Sequence, residues 1–210
     1  MTETLFAPAF ALWGSDVTWL ELVAFVLSLV MVVGNIRERL WAWPLAITTS
    51  ALYAWLFWRS RLYGQVGLQI VFATLAAWGW WQWRFGHRSS GAALRPTPLD
   101  PRGRWACLAA TLLLWPLLGA LLRWGTDSPA PWADAFPTAG SLVAQWLLGR
   151  KYIENWAGWA VVNVASIALF LWQQLWLTAL LYTLFLALCA WGWRAWQHQA
   201  NPVGAAVNPV

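Results

Sequence analysis

Residues 156–172 read WAGWAVVNVASIALFLW, an almost wholly apolar run without a charged side chain. At about 1.5 Å of rise per residue, a helix of this length is long enough to cross a bilayer. Asn163 and Ser166 lie near its middle and share one helical stripe with Trp156, Trp159 and Phe170, because the spacings are three and four residues. An amide at that depth is costly in lipid, so the stripe is predicted to face something else.

The composition of the whole chain indicates a polytopic helical membrane protein. Of 210 residues, 60% are hydrophobic and 10% are charged, whereas a soluble domain carries about 25% charged residues. The net charge of +5 comes from basic residues in short clusters between apolar runs, where membrane topology explains them better than nucleic acid does. Cys107 and Cys189 fall inside apolar spans and are predicted to be small buried side chains, not metal ligands or a disulfide.

Seven transmembrane helices are predicted, at residues 17–34, 41–58, 62–83, 105–122, 134–148, 156–172 and 175–196. Residues 1–16 are expected to form an interfacial segment and residues 198–210 a disordered tail. A polar loop with Arg84, Arg88, Arg95, Arg102 and Arg104 separates the third helix from the fourth. With the N-terminus outside, ten of the 13 Lys and Arg residues lie on the inner side, which predicts a cytoplasmic C-terminus.

An internal repeat organises these helices. Shifting the chain by 113 positions aligns residues 19–83 with 132–196 without a gap, and seventeen of the 65 positions are identical. The sequence therefore predicts an all-α membrane protein with a first three-helix repeat at 17–84, a basic loop and linker helix at 85–125, and a second repeat at 126–197. Three crossings leave the chain on the opposite side of the membrane, and the linker helix returns it to the side where it began. The two repeats therefore run parallel, and a transporter built this way has its site between them.

Polar side chains on four further helices are expected to complete such a site. The candidate substrate-binding residues are Asn163, Gln69, Trp159, Tyr182, Ser50, Tyr53, Ser141, Gln145, Trp80 and Trp193. A flat ring beside an amide suits a flat cationic heterocycle that carries a carboxamide. The alternative is that Gln69, Gln145 and Asn163 only bond one another across helices.

Other residues are predicted to have structural roles. Most tryptophans near span ends are assigned to the aromatic belt of the membrane interface, namely Trp41, Trp58, Trp83, Trp105, Trp172, Trp176 and Trp196. Glu21 and Asp134 occupy first turns, where they either attract a cation or suit a helix N-terminus, and the second is favoured. No nucleophile–base pair, metal spacing or cofactor motif is present, so an enzyme is not predicted.

Two ordered sets of residues carry a family resemblance. The second half contains Asp134-x3-Thr138-x2-Ser141-x2-Ala144 and Lys151-x2-Glu154-x-Trp156-x2-Trp159, and the first contains Leu62-Tyr63-Gly64, Gln69 and Gly79-Trp80-x2-Trp83. Over residues 17–197 the chain resembles the PnuC nicotinamide riboside transporters. The resemblance implies a bacterial inner-membrane protein of 3+1+3 helices, similar in architecture to the SWEET sugar transporters. It also implies facilitated diffusion of nicotinamide riboside, trapping by a cytoplasmic kinase, and a homo-oligomer, with a trimer as the expected form.

Two rival functions follow from the same residues. Relatives of that family resemble carriers of thiamine or riboflavin, so the cargo is either nicotinamide riboside or another flat vitamin. The chain is alternatively a membrane scaffold or subunit, in which case the polar stripes are expected on the outer surface of the bundle. No cofactor is expected under any of these hypotheses.

Overall fold

The computed structural model describes residues 7–12, 15–59, 63–88, 91–126 and 130–200. In these ranges the chain forms seven helices: α1 (Trp19–Ile36), α2 (Ala42–Arg59), α3 (Tyr63–Phe85), α4 (Pro101–Gly125), α5 (Pro131–Gly149), α6 (Asn155–Trp172) and α7 (Trp176–Ala200). Each corresponds to one predicted span. Four of them, α1, α4, α6 and α7, are long and apolar enough to cross a membrane.

A short hairpin precedes α1, where the sequence predicted an interfacial segment and no strand. Strands β1 (Pro8–Leu12) and β2 (Ser15–Thr18) pair antiparallel, which satisfies backbone groups ahead of the first helix. Thr18 then caps α1: its Oγ1 accepts from the Glu21 backbone N–H at 3.2 Å, and the Glu21 carboxylate accepts from the Thr18 N–H at 2.8 Å. This capping box assigns Glu21 to the helix N-terminus, as favoured above.

Some predicted boundaries are wrong at helix ends. Helix α4 begins at Pro101, so Arg102 and Arg104 lie in its first turn and not in the basic loop. The cause is local, because the Asp100 carboxylate caps the helix by accepting from the Gly103 N–H, and proline suits the first helical position. At the other end of the chain, α7 continues through residue 200, so 198–200 are helical, while residues 201–210 lie outside the described part.

The helices pack as two three-helix segments with the same internal order. In the first segment α2 packs against α1 and α3, and in the second α6 packs against α5 and α7. The segments meet twice, where α3 packs against α5 and where α1 packs against α7. Helix α4 packs mainly along α5, where Gly119 leaves room for the Trp132 ring and the Trp115 indole donates to the Trp132 carbonyl at 2.8 Å.

Glycines allow close helix contacts within each segment. A Cβ on Gly79 of α3 would overlap the ring of Trp43 on α2, and a Cβ on Gly192 of α7 would overlap the ring of Trp156 on α6. These two contacts involve residues that the 113-residue shift superimposes. Both indoles are buried, and they belong to one core cluster that also contains Ile36, Ala76, Leu148, Ile153, Cys189 and Trp196.

Candidate functional site

Asn163 is the most deeply buried of the predicted site residues, with 2% of its surface exposed. It lies midway along α6, and its Nδ2 donates to Sγ of Cys189 on α7 at 3.4 Å. Thiol sulfur is a weak acceptor, so an amide donor in the core has a poor partner here. The contact made by this amide nitrogen is therefore with Cys189 of the neighbouring helix.

Tyr182 lies on α7, seven residues or about two turns before Cys189. Its ring contacts Phe170 of α6 edge-on, with centroids 4.9 Å apart, and Phe185 of its own helix at 5.6 Å. These three rings form an aromatic wall between α6 and α7. Pairs of this geometry add to the energy of area burial, so the wall holds Tyr182 in place.

The three tryptophans in the predicted site differ in their surroundings. Trp159 of α6 and Trp193 of α7 are partly buried and pack against the core cluster. Trp80 of α3 is 37% exposed, although it is the repeat equivalent of Trp193. The equivalence in sequence therefore does not extend to equal burial.

The remaining candidate residues lie on helices of both segments. Ser50 of α2 and Ser141 of α5 are buried, whereas Gln69, Tyr53 and Gln145 are partly buried. Near Ser141, α5 and α6 approach closely, because Gly140 meets Val162. Burial of the two serines and Asn163 within one chain is the reverse of what the scaffold hypothesis predicts for the polar stripes.

Two tryptophans assigned to the aromatic belt are core residues instead. Trp196 is 0% exposed, and its Nε1 donates to the Ile36 carbonyl at the end of α1 at 3.1 Å. Trp83 is partly buried, and its Nε1 donates to the Leu148 carbonyl near the end of α5, also at 3.1 Å. Position near a span end suggested the belt. A better signal was that Trp83 and Trp196 are identical across the 113-residue shift, and that each follows an identical glycine by four residues.

An ion pair between the segments was also missed. Lys151 Nζ lies 2.6 Å from Glu38 Oε2, and the two residues are separated by the repeat distance of 113 positions. Each follows the end of its helix, α5 or α1, with a left-handed backbone at φ 56° and 52°. The Lys151 ammonium also lies 4.6 Å from the ring centroid of Trp83. No pairing rule in a single sequence identifies such contacts, because they depend on how the segments meet.

The candidate site offers hydrogen-bonding groups and aromatic surface. Among the described residues, no cluster of three His, Cys, Asp or Glu side chains is placed to hold a metal ion. The amide, hydroxyl and aromatic side chains of α2, α3, α6 and α7 are suited to binding a flat solute through hydrogen bonds and ring contacts.

The comparisons with known proteins bear on this arrangement. Residues 18–198 match the family described as nicotinamide mononucleotide transporter. The chain belongs to that family. It is therefore a membrane transporter that acts on a small molecule, and it is not an enzyme.

Individual relatives differ in cargo. The chain is 28% identical over 193 residues to the riboflavin/roseoflavin transporter RibM of Streptomyces davaonensis, covering 90% of this chain and 89% of that one. It is 25% identical over 216 residues to the nicotinamide riboside transporter PnuC of Escherichia coli, covering 91% and 90%.

A solved structure shares the fold. The crystal structure of the vitamin B3 transporter PnuC superposes with a TM-score of 0.73 at 23% identity, covering 88% of this chain and 83% of that one. The PnuC resemblance found in the sequence is thereby confirmed at the level of family and fold.

Proposed function

We propose that this transporter carries nicotinamide riboside into the cytoplasm by facilitated diffusion. The observation that carries the proposal is the buried Asn163, whose amide has only a thiol sulfur as its partner on α7. A carboxamide offers an oxygen acceptor and N–H donors that match both groups of an asparagine side chain. Replacing the weak sulfur contact by that pairing would favour binding of the nicotinamide ring.

The proposed architecture is two parallel three-helix repeats joined by α4, with all seven helices crossing the membrane. Matching contacts in the two segments support it. Gly79 lies against Trp43, and Gly192 lies against Trp156. The indoles of Trp83 and Trp196 each donate to a backbone carbonyl of the other segment. The excess of Lys and Arg supports an outer N-terminus and a cytoplasmic C-terminus.

The substrate site lies between the repeats near the midplane. Asn163 and Gln69 contact the carboxamide or the ribose, and Trp159 and Tyr182 flank the ring. Six further polar and aromatic side chains complete the lining, namely Ser50, Tyr53, Ser141, Gln145, Trp80 and Trp193. The aromatic contacts of Tyr182 and the burial of Ser50 and Ser141 support this placement.

Facilitated diffusion is proposed because the interior lacks groups for ion coupling. In the sequence, no carboxylate occurs after Glu154, and Glu21 and Asp134 lie in first turns of their helices. Proton relays in membranes use Asp, Glu or His side chains at depth. Net uptake then depends on trapping, which we assign to a cytoplasmic nicotinamide riboside kinase. Assembly as a trimer stays a prediction.

Calorimetry on the purified protein tests the cargo. Nicotinamide riboside at micromolar concentration should release or absorb heat with one saturable site, and Asn163→Leu should abolish it while the melting temperature changes little. Cys189→Ala removes the present partner of Asn163 and should leave binding intact. Thr183→Val is the matched control, because that exposed hydroxyl on α7 donates only to the Ala179 carbonyl. Binding that survives Asn163→Leu would contradict the assignment.

Riboflavin is the second candidate cargo, favoured by the similarity to RibM. Its ring system is flat and larger, so it makes greater use of the Tyr182 wall than of the Asn163 amide. Competition in the same calorimetric cell separates the two, with thiamine as a third competitor. Quenching of riboflavin fluorescence with no heat from nicotinamide riboside would reverse the order of the candidates.

A further inference from the structure

Four tryptophans form a continuous row across the boundary between the two three-helix segments. Trp43 meets Trp83 edge-on at 5.2 Å, Trp83 meets Trp196 at 6.2 Å, and Trp196 meets Trp156 edge-on at 5.4 Å. We call Trp43, Trp83, Trp156 and Trp196 the tryptophan row. Its central step joins the two segments, because Trp83 belongs to α3 and Trp196 to α7.

The row lies at one end of the bundle. Trp43 and Trp156 occupy the first turns of α2 and α6, and Trp83 and Trp196 lie near the last turns of α3 and α7. Glu38 and Lys151 sit at the same end, just beyond α1 and α5. Their ion pair covers the row from the outside, since the Lys151 ammonium lies over the Trp83 ring.

The row also lies between this end and the proposed substrate site. Asn163 is seven residues after Trp156 on α6, and Cys189 is seven residues before Trp196 on α7. Seven residues are two helical turns, about 10 Å at 1.5 Å per residue. A path that follows α6 and α7 from Asn163 to this end of the bundle therefore passes the indoles.

Two donors in the row have no partner in the packed arrangement. The indole Nε1 atoms of Trp43 and Trp156 are buried without a hydrogen bond. An unpaired buried donor is costly, so both N–H groups gain a partner when the row separates and water or a solute enters. The same feature occurs once in each segment, at repeat-equivalent positions.

We propose that the tryptophan row and the Glu38–Lys151 ion pair form a gate that closes the cytoplasmic mouth of the transporter. The gate opens when the two segments move apart at the ion pair and at the Trp83–Trp196 contact. The Trp43 and Trp156 N–H groups then face the path of the solute. This inference rests on the proposed function for the position of the site and for the side of the membrane.

Accessibility of Cys189 tests the gate without any substrate. In a Cys107→Ala background Cys189 is the sole cysteine, and it is 4% exposed beside the row. A membrane-impermeant maleimide applied to inverted vesicles should label it slowly. Glu38→Lys places two cations together, and the labelling rate should rise at least fivefold. Combining Glu38→Lys with Lys151→Glu restores an ion pair and should return the rate to within twofold of the parent.

Arg104→Glu is the matched control, because the Arg104–Glu154 ion pair is of similar length, 2.8 Å, but involves no residue of the first segment. It should leave Cys189 labelling unchanged. Where Glu38→Lys fails to fold, Glu38→Gln gives the same comparison with a smaller rise.

Three results would overturn the gate: unchanged labelling in the Glu38 variants, a double variant that stays fast, or acceleration only from the outer side. Absence of nicotinamide riboside binding would instead remove the proposed cargo and leave the labelling result standing. The two failures are therefore distinguishable.

Discussion

The turn between α1 and α2 and the turn between α5 and α6 have the same backbone but different surroundings. Each has a left-handed residue after the helix end, Glu38 or Lys151, whose N–H donates to the carbonyl three residues earlier. The following N–H groups make the same bonds in both turns, at positions 113 residues apart. The repeat thus preserves hydrogen bonds where it has not preserved side chains.

Only the α5–α6 turn is covered by the loop that leads to α4. Thr97 donates its N–H to the Lys151 carbonyl and accepts from the Ile153 N–H, both at 3.1 Å. The Glu154 carboxylate accepts from the Leu99 N–H at 2.8 Å. At the α1–α2 turn, the residue equivalent to Glu154 is Trp41, which is 48% exposed.

Arg88 adds to this cover. Its guanidinium lies 4.5 Å from the ring centroid of Tyr152 and donates to the Thr97 hydroxyl. Burial lowers the pKa of Arg88, while Tyr152 acts in the opposite direction, and an arginine stays charged at neutral pH. The second segment is therefore attached, through its α5–α6 turn, to the loop that leads to α4. Among the residues that the structure describes, no hydrogen bond joins this loop to the α1–α2 turn, so the first segment is the part we expect to move.

The largest effect is expected from the indoles that join each turn to the opposite segment. Trp196→Ala should lower the free energy of unfolding by about 3–5 kcal/mol, because it removes a fully buried ring and its bond to Ile36. Trp83→Ala should cost less, since that ring is partly exposed. Thermal unfolding in detergent measures both. Equal losses of stability, or a larger loss in Trp83→Ala, would contradict the argument from the unequal burial of the two indoles.

An intermediate effect is expected from uncovering the α5–α6 turn. Glu154→Ala leaves the Leu99 N–H without its acceptor and breaks the ion pair with Arg104, at a cost of about 1–3 kcal/mol. Hydrogen exchange should accelerate at the Thr97 and Ile153 amides. Trp41→Ala, at the equivalent position in the α1–α2 turn, should leave the exchange of those two amides unchanged. If the Thr97 and Ile153 amides exchanged equally fast in both variants, the proposed difference between the two turns would be contradicted.

The smallest effect is expected from substitutions that separate the strain of a left-handed backbone from the contribution of the ion pair. Gln174, between α6 and α7, has φ 60°, so Gln174→Gly should stabilise the protein by about 0.5–1 kcal/mol. That corresponds to a rise of about 1–3 °C in Tm. Lys151→Gly relieves the same strain but loses the contacts with Glu38 and Trp83, so its Tm should fall. A rise in both would show that those contacts contribute little.

The sequence was informative about features that follow a repeating pattern. It was uninformative about contacts between residues that are distant in the sequence and close only in the folded chain. Apolar length predicted all seven helices, and Gly79 and Gly192, which are identical across the repeat, both lie against tryptophan rings. Asn163 is buried, as its place in an apolar span predicts, but the sequence does not indicate that Cys189 is its partner. Trp83 and Trp196 were misassigned because distance from a span end does not say which way a ring points.

The loop before α4 shows a different reason. Its prolines and arginines predicted irregular chain, yet the bonds of Thr97 and Leu99 to the α5–α6 turn join residues more than 50 positions apart. Neither periodicity nor capping rules reach across that distance. The hairpin at β1 and β2 was missed for a simpler reason, because its strands are only five and four residues long.

The Glu38–Lys151 pair has a consequence for the origin of the single chain. Two identical three-helix subunits arranged in this way would bring glutamate to glutamate or lysine to lysine at that contact, and like charges at such distance repel. Joining two copies in one polypeptide allows each copy to change separately, so that a cation meets an anion. The Glu38–Lys151 contact thus depends on different residues at equivalent positions of the two halves, and a dimer of identical halves would lack it.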